Sequence, residues 1–406
     1  LDTLVGGLPR SFWILWAGMF VNRAGCFVVP LMALYLTQGR GFSIATAGVV
    51  TACYGAGAAV ASPLGGYLAD HAGRRRTMIG ALAFGGLGMI GLGFVRDIRV
   101  IAPACFFLAM AGECYRPAMQ AAVADLVEPR ERVRAYGILY WVINLGFSIG
   151  AVLGGLLASK SFLLLFLGDG LTSLAFGAIV WRWVPETRPS HPATHSGTPR
   201  LNAVQGFLAP YRDRPFLLFV LLGILILLVF MQHVAPLPID MAARGVSRPM
   251  IGLLLGINGV LIVLVQPFLA PWIQRLNRSR VIALGATLVG AGFGLQALAR
   301  GPAIFAISVA IWTIGEICVL PIANAVVADV ALPHMRGRYQ GAYGLSFGLA
   351  GFGAPLIGTA VMQRWGSGAL WTGCFVTGLV VAAGQLALAP RLTRLRESRL
   401  ASRPAH

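Results

Sequence analysis

Apolar residues run through this chain in blocks of twenty or more, broken by short polar gaps. A helix needs ~20 mostly apolar residues to cross a bilayer. Twelve runs qualify: 11–36, 43–69, 77–95, 98–124, 134–158, 161–182, 214–238, 248–272, 280–299, 301–328, 338–363 and 367–389. Most gaps are too short for anything but antiparallel hairpins between neighbours. The exception is 183–213, which carries Pro185, Pro189, Pro192, Pro199, Ser190, Ser196 and Gly197. It reads as a flexible linker, with Leu201 to Leu208 as a short interfacial helix. The pattern predicts an all-α membrane protein of twelve transmembrane helices in two pseudo-symmetric six-helix bundles. Residues 1–182 form the first bundle, 183–213 a cytoplasmic linker, and 214–406 the second bundle with a short cytoplasmic tail. The run Ser11 to Leu36 is too long for a signal-peptide core and lacks a clear cleavage site.

Composition supports the membrane reading. Apolar residues make up 57% and charged residues only 11% of the chain, against about 25% charged in a soluble domain. The net charge of +18 comes from 31 Arg and one Lys, Lys160. These cations sit in the gaps rather than in a basic stripe interleaved with aromatics, so nucleic acid is not the partner. With the N-terminus inside, 22 cations fall in cytoplasmic segments and eight outside, while Arg23 and Arg116 lie within spans. Cytoplasmic loops are enriched in Lys and Arg, so both termini are placed in the cytoplasm of a multi-pass protein of the inner (plasma) membrane.

The chain repeats itself. Shifted by 204 residues, Pro117, Ala121, Val123, Ala124, Asp125, Pro129, Arg132, Arg134 and Gly137 fall on Pro321, Ala325, Val327, Ala328, Asp329, Pro333, Arg336, Arg338 and Gly341. Pro63 falls on Pro267, and Arg74 and Arg76 on Arg278 and Arg280. Gly112-Glu113 matches Gly315-Glu316 at a shift of 203. Matched polar and Pro positions are harder to obtain by chance than matched apolar ones. Two like-oriented halves are a parallel repeat, which in transporters places the substrate site between the halves near mid-membrane.

One loop has a signature. Gly66-Tyr67-Leu68-Ala69-Asp70-His71-Ala72-Gly73-Arg74-Arg75-Arg76 lies between the second and third runs. It resembles the major facilitator pattern Gly-x-x-x-Asp-Arg/Lys-x-Gly-Arg-Arg/Lys-Arg/Lys, with His71 where the family usually has a cation. The matching second-half loop, Gln274 to Arg280, keeps cations but loses the Asp. Gly66 permits close helix approach and Gly73 a tight turn. Asp70 suits the partial positive charge of a helix N-terminus, and Arg74 suits Asp125. The resemblance implies that Gly66, Asp70, Gly73, Arg74 and Asp125 latch the two halves in the outward-facing state; the bland alternative is helix capping. Leu31 to Thr37 and Tyr136 to Gly146 look like the drug/proton antiporter branch and faintly like the peptide transporter branch. Gly112 to Pro117 carries a cation before Pro, as peptide transporters do. The peptide-branch motif Glu-x-x-Glu-Arg, however, reads Met19-Phe20-Val21-Asn22-Arg23 here, with both acids missing.

Charges inside spans cost roughly 2.5–3.5 kcal/mol each even on lenient scales, so they face cavities or partners. Arg23, Glu113, Arg116, Asp169 and Glu316 are such residues. Glu113 and Arg116 share a helical face and read as a proton and substrate site, with Arg23 within reach; the alternative is a static ion pair. Glu316 has no Arg in its own segment and reads as a proton carrier. Asp169, on a span usually peripheral to the cavity, reads as structural. His233 titrates near neutral pH when unperturbed and is a candidate for the substrate and proton site; the alternative, beside Gln232, is a hydrogen-bonded helix residue. Asn22, Asn144 and Asn258 line the cavity or bridge helices. Tyr35, Tyr115, Tyr140 and Trp141 are packing residues or an aromatic wall.

No chemistry of an enzyme competes. There is no Walker loop, His residues lack metal spacing, and six Cys without a CxxC pair read as packing residues. No cofactor is expected. The main expectation is a monomeric secondary transporter in the bilayer that exports small amphiphilic or drug-like molecules against protons. Proton-coupled uptake of a polar or zwitterionic solute such as a peptide, and a non-transporting receptor or scaffold, are the rivals.

Overall fold

The structure is a computed structural model that describes residues 7–42, 44–188 and 203–401. The linker positions Pro189, Ser190, Pro192, Ser196, Gly197 and Pro199 lie outside the described residues. Among the described residues the regular structure is helical throughout, as a bilayer requires of a chain that must satisfy its backbone within each segment. Among the described residues nine helical stretches are long and apolar enough to cross a membrane, and one of them, Pro333–Arg399, covers the last two expected runs.

The elements follow the twelve runs, with breaks. Span 1 is α1 (Arg10–Ala24) and α2 (Val28–Leu34), followed by a π-turn at Tyr35–Gly39. Spans 2 and 3 are α3 (Ile44–His71) and α4 (Arg74–Phe94). Span 4 is α5 (Ile98–Gly112) and α6 (Tyr115–Leu126). Spans 5 and 6 are α7 (Arg132–Lys160) and α8 (Phe162–Trp183). The short α9 (Ala203–Arg212) precedes span 7, which is α10 (Arg214–Phe230) and α11 (Pro236–Ala243). Spans 8 to 10 are α12 (Arg248–Gln274), α13 (Arg278–Leu295) and α14 (Pro302–Val330). Spans 11 and 12 form α15 (Arg336–Ala401), interrupted at Gly366, whose φ of 81° and ψ of 166° are not helical.

The breaks in spans 1, 4 and 7 each lie four residues before a proline, although Pro63, Pro267 and Pro321 sit within unbroken helices. Proline has no N–H to give the carbonyl four residues earlier, and its ring crowds that carbonyl. Pro30, Pro117 and Pro236 place the loss at Cys26, Glu113 and Gln232, and the helices part at those positions. At span 4 the gap tightens: Arg116 N–H donates to the Glu113 carbonyl at 3.1 Å, one residue short of the α-helical partner.

Contacts group the chain into two compact units. Unit 1 is Leu1–Ala135, Val142–Pro210 and Ala331–Gly348. Unit 2 is Tyr136–Trp141, Tyr211–Val330 and Leu349–His406. Each unit therefore includes a short piece from the other sequence half.

In unit 1, α1 packs along α8, and α4 lies between α8 and the two halves of span 4. Glycines on span 5 allow the break in span 1 to press close. A Cβ on Gly146 would stand 2.6 Å from Arg23 Cβ, and one on Gly150 would stand 3.0 Å from the Arg23 carbonyl oxygen. In unit 2, α13 packs along α14. There Trp312 stacks between Phe293 and His233, with ring centroids 5.5 and 5.7 Å away.

Candidate functional site

Three groups of polar residues stand out, two in unit 1 and one in unit 2. The first is built at the ends of spans 2 and 4. Asp70, at the C-terminal end of α3, is buried. It accepts the backbone N–H groups of Gly337 and Arg338, each at 2.9 Å, at the start of α15. First-turn N–H groups have no partner within their own helix, and the helix dipole favours a carboxylate there. The Arg338 side chain adds an ion pair to Asp70 at 3.1 Å, and Arg74 adds another at 3.2 Å. Arg74 also binds Asp125 at 3.0 Å, and Arg336 pairs with the other oxygen of Asp125. Gly66 is required by the approach: a Cβ there would collide with the Gly337 carbonyl. Gly73 holds φ at 107°, a region only glycine enters freely.

Glu186 was not singled out in the sequence, yet it completes this group. Its Oε1 accepts the Arg74 N–H at 2.9 Å, and its carboxylate occupies the space a side chain at Gly73 would need. Nothing in its spacing signals the role. Arg336 and Arg338 did carry a signal, since the repeat pairs them with Arg132 and Arg134. Their equivalents behave differently: Arg132 donates to the Ala124 carbonyl at 2.7 Å, and Arg134 pairs with Glu131 at 3.0 Å.

The repeat also relates two ion pairs. Arg74 with Asp125 in unit 1 maps onto Arg278 with Asp329 in unit 2, and Arg396 joins Asp329 at 3.0 Å. The second-half loop that lost its Asp therefore keeps its cation and the partner of that cation.

The second group is a cavity within unit 1, at the level of both helix breaks. Asn22, Arg23, Tyr54, Glu113, Tyr115 and Asp169 supply its polar lining, with Cys26 and Ser173. Arg23 is buried and donates to the Tyr115 hydroxyl. Tyr115 in turn donates to Asn22 at 3.2 Å, and Asn22 donates to Ser173 at 3.1 Å. Glu113 accepts from Tyr54 at 3.1 Å and pairs with Arg116. The Arg116 side chain is about half exposed, at 54%. Arg23 thus turns to Tyr115, while Glu113 keeps Arg116. Tyr54, Ser173 and Asp169 were not proposed for this site from the sequence. A polar residue on an apolar span is the one signal they carry.

The third group lies in unit 2 around Glu316. This residue is 3% exposed. The Tyr140 hydroxyl donates to its Oε1, and Asn258 Nδ2 donates to Oε2 at 2.7 Å. Asn258 also donates to Thr313 Oγ1 at 3.1 Å. Glu316 is therefore not solitary, although its partners are neutral. The adjoining turn of span 5 joins unit 2 by two bonds: Trp141 Nε1 to the Val263 carbonyl at 2.8 Å and Gln266 Nε2 to the Gly137 carbonyl at 2.6 Å. The Asn144 backbone carbonyl accepts from Ser148 Oγ at 2.8 Å. His233 lies 2.7 Å from the Phe230 carbonyl through Nδ1 and stacks on Trp312. Asp240, also unremarked in the sequence, binds Trp371 Nε1 at 2.8 Å and Arg244 at 3.1 Å. Among the described residues no three His, Cys, Asp or Glu side chains gather as a metal site.

Breaks in apolar helices, buried carboxyls on neutral partners, and paired cations at helix ends are the features of a transport protein. The Major Facilitator Superfamily model matches residues 15–243 and 234–405, so the chain belongs to that family. It is a multi-pass membrane transporter and not an enzyme. It is 25% identical over 393 residues to a Na(+), Li(+), K(+)/H(+) antiporter of Planococcus maritimus, covering 90% of this chain and 92% of the relative. It is 24% identical to the multidrug resistance protein MdtH of Aeromonas salmonicida (strain A449), covering 86% and 87%. Among solved structures, the human organic anion transporter MFSD10 superposes with a TM-score of 0.77 at 17% identity, covering 93% of this chain and 100% of that one. The proton:xylose symporter XylE superposes with a TM-score of 0.70 at 14% identity, covering 94% and 95%.

Proposed function

We propose that the chain is a monomeric proton-coupled exporter of small amphiphilic or drug-like molecules, working by alternating access with both termini in the cytoplasm. The observation that carries this reading is Glu316. It is a buried carboxyl on a membrane span whose described partners, Tyr140 and Asn258, are neutral hydrogen-bond donors. A neutral setting lets the group gain or lose a proton without breaking an ion pair, which a coupling residue needs. Glu113, held by Arg116 and Tyr54, is the second carboxyl of the coupling machinery. Residues 1–182 and 214–406 serve as the two alternating halves joined by 183–213. The group of Gly66, Asp70, Gly73, Arg74 and Asp125 holds the outward-facing state. Similarity to MdtH supports a drug-like substrate.

Similarity to the Planococcus maritimus antiporter favours a second reading, exchange of a monovalent cation for a proton. Reconstitution separates the two. Proteoliposomes with an acidic lumen and the neutral face outside should accumulate ethidium from the medium if amphiphile export is coupled to protons. Accumulation of sodium but not ethidium would favour cation exchange. Ethidium and sodium movement that both ignore the pH gradient would reject proton coupling.

A further inference from the structure

Asp169 is the buried acid that the account above leaves unused. It lies on span 6, and the sequence gives it no partner. The structure places it at the break in span 1, where its carboxylate accepts the backbone N–H of Val28 at 3.2 Å. This is the first N–H of α2, freed because the helix parts at Gly25 to Phe27. Asp169 is therefore the cap of the second half of span 1, supplied from another helix.

The same carboxyl lines the polar cavity of unit 1. Span 1 turns Arg23 and Cys26 toward that cavity, and span 2 contributes Tyr54. Span 4 contributes Glu113 and Tyr115, with Arg116 held against Glu113. Span 3 offers Ala81, Leu82, Gly85 and Met89, none of which titrates. Both nearby cations have other partners, since Arg23 donates to Tyr115 and Arg116 pairs with Glu113. A cavity with this many polar groups has the donors and acceptors that hold water, and hence a route by which a proton reaches a buried acid.

We propose that Asp169 is a further proton-binding site, set in the cavity of unit 1, whose occupancy controls the cap on the second half of span 1. Ionised, the carboxylate holds the Val28 N–H with a charge-assisted bond, which is roughly twice as strong as a neutral one. Protonated, it holds it as a neutral carbonyl, and the break in span 1 loosens. The ligand is a proton on the Asp169 carboxylate; no other group is transferred. This rests on the proton-coupled reading above, and adds a third carboxyl to Glu113 and Glu316.

The test reads proton binding rather than transport. Infrared difference spectra between acidic and basic pH, recorded on the full chain in lipid nanodiscs, report the carbonyl stretch of protonated carboxyl groups. Asp169→Asn keeps an oxygen for the Val28 N–H and removes the titration, so one titrating band should vanish while the melting temperature holds. Asp169→Glu keeps a carboxyl and should shift that band. Glu316→Gln should remove a different band. Wild-type and Asp169→Asn spectra that superimpose, or an Asp169→Glu spectrum without a shifted band, would overturn the site. Such a result leaves the ethidium experiment untouched, and a failure of pH-driven ethidium transport leaves the infrared bands untouched.

Discussion

Asp70 holds the first turn of α15 by three bonds to two residues: the N–H of Gly337, and the N–H and guanidinium of Arg338. One carboxylate thereby fixes the segment Ala331–Gly348 within unit 1. Asp70→Asn removes the charge and one acceptor. Charge-assisted bonds of this kind contribute ~1.5–3 kcal/mol, so the held arrangement should lose roughly thirtyfold in relative occupancy. Spin labels at His71 and His334, both exposed, measure it. The distance distribution should broaden and lengthen in Asp70→Asn, and likewise in Gly66→Ala, where the new methyl collides with the Gly337 carbonyl.

Asp125 and Asp329 are equivalent in the repeat but not in surroundings. Asp125 serves Arg74 and Arg336, whose side chains are 1% and 8% exposed. Asp329 serves Arg278 and Arg396, which are 17% and 39% exposed. Removing one partner of a buried ion pair costs about 3–5 kcal/mol, because the other charge stays buried. Exposed cations recover solvation from water and lose less. Asp125→Ala should therefore lower the melting temperature well beyond Asp329→Ala in detergent-purified protein. Equal losses would show that burial does not set the cost.

Gly146 faces Arg23 with no space for a side chain. Overpacking of this kind costs about 1–3 kcal/mol. Gly146→Ala should reduce both the melting temperature and ethidium transport. Gly252→Ala is the control, since a Cβ there meets nothing within 4 Å. It should match or slightly exceed wild type, because Ala restricts the unfolded chain more than Gly does.

Much of the fold was legible because bilayer spans announce themselves by length and hydropathy. The Asp70 to Arg76 loop was legible because glycine, acid and cations recur there at fixed spacing. What periodicity did not show were the breaks in spans 1, 4 and 7. Each precedes a proline by four residues, Pro30, Pro117 or Pro236, but a proline leaves the hydropathy of a run unchanged, and Pro63, Pro267 and Pro321 break no helix. The partners of the intramembrane charges were hidden for another reason. Arg23 meets Tyr115, Glu316 meets Tyr140, and Asp169 meets Val28 across separations of 92, 176 and 141 residues. Such pairings follow from helix packing, which no local pattern encodes. Glu316 read as solitary because its neighbours Tyr140 and Asn258 are neutral, and neutral residues do not stand out on a span.

The interaction of Tyr140 with Glu316 bears on coupling in a graded way. Tyr140→Phe removes one donor and leaves Asn258, so pH-driven ethidium transport should slow while remaining coupled. Glu316→Gln keeps the size and hydrogen-bonding capacity of the side chain and removes its proton. Its ethidium transport should become indifferent to the imposed pH gradient.

The most direct measurement of the central claim is the reciprocal flux. Proteoliposomes loaded with a pH-sensitive dye, with no pH gradient at the start, receive an outward gradient of ethidium. Proton-coupled export predicts that ethidium leaving the lumen draws protons in and acidifies it, in wild type and not in Glu316→Gln. Ethidium efflux with no change in lumenal pH in the wild type would contradict the account.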